Sequence, residues 1–215
     1  IVRETSRRTQ SSTNVVHLDL DNLKKFKCPT VETIIHCAGI AHKIKHKNLK
    51  RLNYEATIEL ATIASKHNVK NFIFISSIGV CGKSSKSIIN ESSEVSPEDY
   101  YSESKYLAEK ALLELSKRTQ MKIIIVRPSL IYGKGAPGNY SLISKLIKSG
   151  FPLPFLSIKN SRNFCSIDNI VSFLSILCRD AYKIHGNYEV FNICDDSPMS
   201  TLEFIQKVSK IEKET

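Results

Sequence analysis

The chain has 215 residues, 41% of them hydrophobic, which suits one domain, or one domain with a small lobe, around a real core. No apolar run approaches the length of a membrane span, no signal-peptide pattern opens the chain, and the six cysteines form no C-x-x-C pair, so they read as free thiols of a cytoplasmic protein. The 31 basic residues against 21 acidic ones give a net charge of +10, which fits an anionic partner, either nucleic acid or a diphosphate.

In chain order, Ile1 to Arg8 reads as the tail of a strand and Val15 to Leu20 as the next one. Glu32 to Ala38 is an apolar strand that ends in Cys37-Ala38-Gly39; His36 within it reads as a core histidine. The basic stretch from His42 to Arg51 reads as a solvated loop and helix start. His42 and His46 are four apart without a nearby carboxylate, so no metal site is expected. Leu52 to His67 has helical period through Leu52, Ala56, Leu60, Ile63 and Ala64.

Phe72 to Ser76 is almost wholly apolar and suits a strand buried on both faces of a parallel sheet. Ser76 and Ser77 stand at its carboxyl end, where open α/β sheets bind ligands. Leu107, Ala108, Ala111, Leu112 and Leu115 mark a helix from Ser102 to about Lys117. Met121 to Val126 is a further strand, closed by Arg127-Pro128. Alternating strands and helices of this length predict a doubly wound parallel sheet of the α/β class. Beyond it, Tyr140 to Lys148 reads as a helix ended by Gly150, and Phe151 to Phe155 as an irregular apolar link. Asp168 is expected to cap a helix over Asn169–Cys178. Tyr188 to Cys194 reads as a strand, and Ser200-Thr-Leu-Glu203 as a capping box opening the last helix.

Tyr101 and Lys105 are four apart and share one helix face. A phenol ionises at about pH 10, and an ammonium held beside it favours the phenolate. Ser77, Tyr101 and Lys105 can therefore form a hydroxyl, phenol and ammonium group that moves a proton on and off a substrate alcohol. The same spacing recurs at Tyr106 and Lys110, a turn further inside the helix, where packing is the expected role.

Ile34-Ile-His-Cys-Ala-Gly39, Asn53-Tyr-Glu-Ala-Thr57, Phe72-Ile-Phe-Ile-Ser-Ser77 and Tyr101-x-x-x-Lys105 stand in this order along the chain. Together they resemble the extended short-chain dehydrogenase/reductases, and most closely the NAD-dependent epimerase/dehydratase branch, to which UDP-glucose 4-epimerase belongs. The resemblance implies a Rossmann-like domain over residues 1–135 and a small, incomplete substrate-binding lobe over 136–215, with 163–180 returning to the Rossmann core. It implies Ser77, Tyr101 and Lys105 as catalytic residues. NAD would be held by Asp19, Leu20, Cys37, Ala38, Gly39, Asn53, Ser76, Tyr101, Lys105 and Pro128. Arg3, Arg7 and Arg8 follow the strand where a 2′-phosphate would lie, so NADP stays open. A UDP-sugar would meet Ser77, Asn139 and Arg162. Arg162 sits in an Arg-Asn-Phe segment where a guanidinium can take two phosphate oxygens. No metal and no nucleic acid are expected, and a homodimer is allowed.

Gly133-Lys-Gly135-Ala-Pro-Gly138 fits G-x-G-x-x-G only literally, because Pro137 lacks the N–H such a loop aims at phosphate. The resemblance instead expects the opening strand, Gly-rich loop and first helix ahead of Ile1, so this chain should bind NAD(P) more weakly than a longer one. The implied activity is a nucleotide-sugar 4-epimerase. Ile78-Gly79 replaces the Asp-Glu pair of the 4,6-dehydratases, which speaks against that reaction. Cys81 stands where epimerases often have Tyr, and Leu130 where UDP-galactose epimerases have Asn. The segments Arg127 to Gly133 and Gly150 to Phe155 are similar to those of polysaccharide-sugar enzymes, so a UDP-N-acetylhexosamine 4-keto reductase is the alternative. A non-catalytic Rossmann-like module binding RNA or protein through its basic face is the second.

Overall fold

A computed structural model describes residues 4–6, 15–40, 46–133, 136, 139–149, 160–179 and 186–214. Arg3, Arg7, Arg8, His42 and the 151–155 link lie outside the described residues, as do the side chains of His46 and Asn139. The strands are β1 (Glu4–Ser6), β2 (Val15–His17), β3 (Thr33–His36), β4 (Asn71–Ile75), β5 (Lys122–Pro128), β6 (Leu130–Tyr132), β7 (Phe164–Ser166) and β8 (Tyr188–Ile193). The helices are α1 (His46–Leu49), α2 (Ala56–Lys66), α3 (Tyr100–Ser116), α4 (Asn139–Lys148), α5 (Ile167–Leu177) and α6 (Thr201–Glu214).

The central sheet has four strands in the order β3-β4-β5-β8, and β3, β4 and β5 run parallel. Two smaller sheets pair β1 with β2 and β6 with β7, each in parallel. This is the parallel sheet with flanking helices expected from the alternation of elements. The chain forms two compact units. One holds Ile1–Val126 and Ile184–Phe191; the other holds Arg127–Lys183 and Asn192–Thr215, and so includes the 163–180 segment.

The first unit is built on β4 and β5. Their side chains alternate between faces. Phe72, Phe74, Ile123 and Ile125 bury one face against Ala56, Leu60, Ala61 and Ala64 of α2 and Ala108 and Leu112 of α3. Ile73, Ile124 and Val126 point the other way and are equally inaccessible, so β4 is covered on both faces, as its unbroken apolar run predicts. Alanines on the inner side of α2 let the helix backbone come close to the sheet.

Some boundaries differ from the pattern. The helix read over Leu52–His67 starts earlier, at α1, and passes through wide π-helical turns over Lys50–Glu55 before α2. Those turns carry the fully buried Asn53, and wide turns of this kind occur often at functional sites. α3 begins at Tyr100 because Asp99 caps it, its Oδ1 accepting from Ser102 N at 2.8 Å. Asp168 is not the cap of α5. Ser166 is, its Oγ accepting from Asp168 N at 3.2 Å, which leaves Asp168 inside the first turn, where its charge suits the helix dipole. The capping box of α6 is present: Glu203 N donates to Ser200 Oγ at 3.1 Å, and Ser200 N donates to Glu203 Oε2 at 2.7 Å.

The second unit has its own apolar cluster of Phe164, Phe204 and Val208, with Phe164 and Phe204 stacked at 4.0 Å and Tyr132 edge-on to Phe204 at 5.5 Å. No helix among the described residues is long and apolar enough to cross a membrane.

Phe72 is fully buried at the centre of the first core. Phe72→Ala is expected to lower stability by about 3–5 kcal/mol, the usual cost of a large core truncation. Chemical denaturation monitored by circular dichroism checks this; a loss below about 1 kcal/mol would mean the sheet face is not packed as described.

Candidate functional site

The carboxyl end of β4 is where polar groups collect. Ser76 N donates to Val126 O at 2.7 Å, extending the ladder with β5 by one residue. Ser77 is extended and caps a short 3₁₀ turn over Ile78–Cys81, its Oγ accepting from Gly79 N at 3.1 Å. A Cβ built on Gly79 would lie 2.8 Å from Ser102 Oγ and 3.3 Å from Ser77 Oγ. Gly79 is thus wedged between the hydroxyl of Ser77 and the start of α3, and no larger residue fits without moving one of them.

α3 supplies the other half. Lys105 is 4% exposed and its Nζ donates to Ile75 O at 2.8 Å. The same ammonium lies 4.6 Å from the centre of the Phe74 ring and 6.0 Å from that of Tyr101. Burial pushes Lys105 down to about 8, with Cys37 and Glu109 acting in the opposite direction. Tyr101 is half-buried. Its phenol is not lowered, as the lysine alone would dictate. Burial, and then the Asp99 carboxylate, raise it above the usual value. Lys105 is turned toward the carbonyl of Ile75, with its Nζ 6.0 Å from the centre of the Tyr101 ring. The second pair behaves as a packing pair: exposed Lys110 rests 5.7 Å from the Tyr106 ring.

The loop after β3 faces this group. A Cβ on Gly39 would sit 3.0 Å from Asn53 Oδ1 and 3.4 Å from Lys105 Nζ. The bare, exposed backbone of Gly39 therefore lies directly beside a buried cation. Asn53 pins the loop. Its Oδ1 accepts from Ile40 N at 2.8 Å, and its Nδ2 donates to Ile40 O at 2.9 Å and to Ser104 Oγ at 3.0 Å. Cys37 is exposed, its thiol raised by the protein packed around it and drawn down by Lys105.

Beneath the loop, Thr57 Oγ1 donates to Asn53 O at 2.8 Å. With that hydroxyl proton committed, His36 Nε2, 3.0 Å away, donates to Thr57 Oγ1. Burial, then the Lys105 charge, push His36 down to about 3, so it is the neutral core histidine expected from its place in β3.

The remaining sequence candidates are more dispersed. Asp19 is exposed in the turn after β2, where its Oδ1 accepts from Asp21 N at 3.0 Å, while Leu20 beside it is buried. Ser76 and Ala38 belong to the group just described. Pro128 ends β5, Asn139 opens α4, and Arg162 is exposed with its backbone bridged to Met199; these fall in the second unit. Cys81 is buried, and Leu130 packs on the Phe164 cluster, which accounts for an apolar residue there.

Two residues passed over in the sequence matter here. Glu109 accepts from Ser76 Oγ at 2.5 Å. Its position four after Lys105 on the helix face that packs inward was the available signal. Asp195 ties the second unit together: Tyr132 Oη donates to its Oδ2 at 2.9 Å, and Ser166 N and Asn169 Nδ2 donate to its Oδ1 at 3.2 and 2.7 Å. Nothing local marks it. Among the described residues, no group of His, Cys, Asp and Glu is placed to hold a metal.

His36 generates a pH prediction. Its folded value is depressed from about 6.5 to about 3, so its contribution to stability is fully present above the unfolded value and is lost as pH falls through that window. Stability should drop by up to about 1.4 kcal/mol per pH unit below the unfolded value. Urea unfolding at stepped pH should show this slope, and His36→Gln should flatten it; an unchanged slope in the variant would assign the acid sensitivity elsewhere.

Residues 2–194 match the family model described as the NAD dependent epimerase/dehydratase family. The chain is 35% identical over 202 residues to a UDP-glucose 4-epimerase of Vibrio cholerae, covering 89% of this chain and 61% of that protein. Among solved structures, MoeE5 in complex with UDP-glucuronic acid and NAD superposes with a TM-score of 0.81 at 21% identity, over 96% of this chain and 72% of that one. The UDP-glucuronic acid 4-epimerase of Bacillus cereus in complex with NAD superposes with a TM-score of 0.78 at 22% identity, over 94% and 67%. These two likenesses establish the fold. The chain spans about three fifths of the length of its Vibrio relative.

Proposed function

Starting from the fact that the chain belongs to the NAD dependent epimerase/dehydratase family, we propose that it is a nucleotide-sugar 4-epimerase of the UDP-hexose type that works with NAD. One observation carries the reading: Lys105 is buried, anchored on the last residue of β4, and lies beside both Tyr101 and the open backbone of Gly39. A buried ammonium is costly unless paired, and titratable groups perturbed in this way cluster at functional sites.

The residues present fit the cofactor. Gly39 offers exposed backbone with no side chain to block it, next to the donor of Lys105, and Asn53 keeps that loop in place. In this reading Cys37, Ala38, Gly39, Ser76, Tyr101, Lys105 and Pro128 hold the nicotinamide half, and Asp19 and Leu20 the adenosine half. When bound, NAD supplies the acceptor and donor of the hydride at carbon 4 of the sugar.

The chain's own part is proton handling and orientation. Tyr101 takes the proton of the sugar's 4-hydroxyl and later returns it. The hydroxyl of Ser77 holds that oxygen. Lys105 provides the positive charge that offsets burial and Asp99 when the phenolate forms. Arg162 meets the diphosphate as a two-pronged donor, and Asn139 the diphosphate or the sugar. The crowding at Gly79 supports the reading against 4,6-dehydration, since a carboxylate side chain there would displace Ser77 or Ser102.

Tyr101→Phe in the intact protein is expected to lower turnover by at least about 10²–10⁴-fold while UDP-sugar affinity stays within a few-fold. A normal rate in this variant would remove the mechanism. Incubation with a panel of UDP-sugars, with and without NAD(P)H, separates the reactions. Product without net change in cofactor is epimerisation; stoichiometric reduction of added NAD(P)+ by the UDP-sugar, or oxidation of NAD(P)H by a UDP-4-keto-sugar, is the 4-keto reductase/dehydrogenase.

A further inference from the structure

The carboxyl end of β4 is held from two consecutive turns of α3. Lys105 Nζ donates to Ile75 O at 2.8 Å. One turn on, Glu109 Oε1 accepts from Ser76 Oγ at 2.5 Å, with Glu109 2% and Ser76 3% exposed. Ile75 and Ser76 are adjacent, and Ser77 follows them. The two bonds therefore set the register between the strand that carries Ser77 and the helix that carries Tyr101 and Lys105. A neutral acceptor would suffice to tie down a serine hydroxyl. A carboxylate in so dry a place needs compensation, and Lys105, four residues back on the same face, supplies a positive charge.

We propose that Glu109 is a positioning residue of the candidate site: it tethers Ser76 and balances Lys105, so that the Ser77 and Tyr101–Lys105 halves stay in one register. The proposal rests on the active-site reading above but makes its own claim about Lys105. The groups that face this lysine are Glu109 and Tyr101 from α3, the Cys37 thiol from the loop after β3, and the His36 ring from β3, which is neutral. Of these, Cys37 and Glu109 act to keep the ammonium charged against burial.

Glu109→Gln keeps an acceptor oxygen for Ser76 and removes the charge. In protein labelled with ¹³C at lysine Cε, with the Lys105 signal assigned through Lys105→Arg, the Lys105 titration midpoint should fall by about one pH unit or more in Glu109→Gln. The alkaline limb of kcat/KM for UDP-sugar should move down with it. A midpoint that does not move overturns the proposal. A moved midpoint in a protein that turns over no nucleotide sugar upholds the role of Glu109 and sinks the epimerase reading instead. Should the glutamine variant not fold, Ser76→Ala tests the tether, with kcat read at saturating NAD because Ser76 also stands among the residues proposed to hold the cofactor. It is expected to lower kcat about 10-fold or more through misplacement, with the Lys105 midpoint unchanged; an unaltered kcat overturns the proposal.

Discussion

The buried ammonium of Lys105 is the constraint around which the first unit is arranged. An ionised lysine at 4% exposure survives only if donors find acceptors and nearby charges favour it. The acceptor is the carbonyl of Ile75, the last residue of β4. The face of the Phe74 ring adds a cation–π contact. Glu109 favours the charged form, and so does Cys37 when it is a thiolate. Ile75 and Phe74 lie on β4, Glu109 on α3 and Cys37 in the loop after β3, so one side chain fastens α3 to the end of β4 and brings that loop alongside.

The second anchor is neutral. Asn53 satisfies both backbone groups of Ile40 and the hydroxyl of Ser104, and is itself held from below by Thr57 and His36. Every buried donor in this chain of bonds has an acceptor, the condition under which a polar network stiffens a core and does not weaken it. The result is an exposed, side-chain-free stretch of backbone at Gly39 with rigid support. If this loop receives the cofactor as proposed, it benefits from being set in advance, because little ordering remains to be done on binding. The second unit solves a similar problem with Asp195, whose carboxylate gathers Tyr132, Ser166 and Asn169. Burial and this carboxylate push the Tyr132 phenol up to about 12, so it acts as a fixed donor there.

Much of this was readable in the chain itself. The apolar run of β4, the helical repeats of α2 and α3, the capping box at Ser200 and Glu203 and the core character of His36 all follow from composition and spacing within one element. So does the pairing of Tyr101 with Lys105 on one face, and family membership came from four short motifs in order. Those signals are local: strand alternation, helix period and caps are set by residues a few positions apart.

What only the tertiary structure decided is who meets whom. Asn53 bonds to Ser104, 51 residues away, and Tyr132 to Asp195, 63 residues away. Glu109 looks like any helical acid until Ser76 is seen against it. The cap of α5 fell to Ser166 and not Asp168 because β7 delivers the chain into the helix two residues earlier. The phenol of Tyr101 ended above its usual value, although a neighbouring lysine alone predicts the reverse, because burial and then Asp99 raise it. Burial depends on how distant elements pack, and no spacing along the chain encodes it.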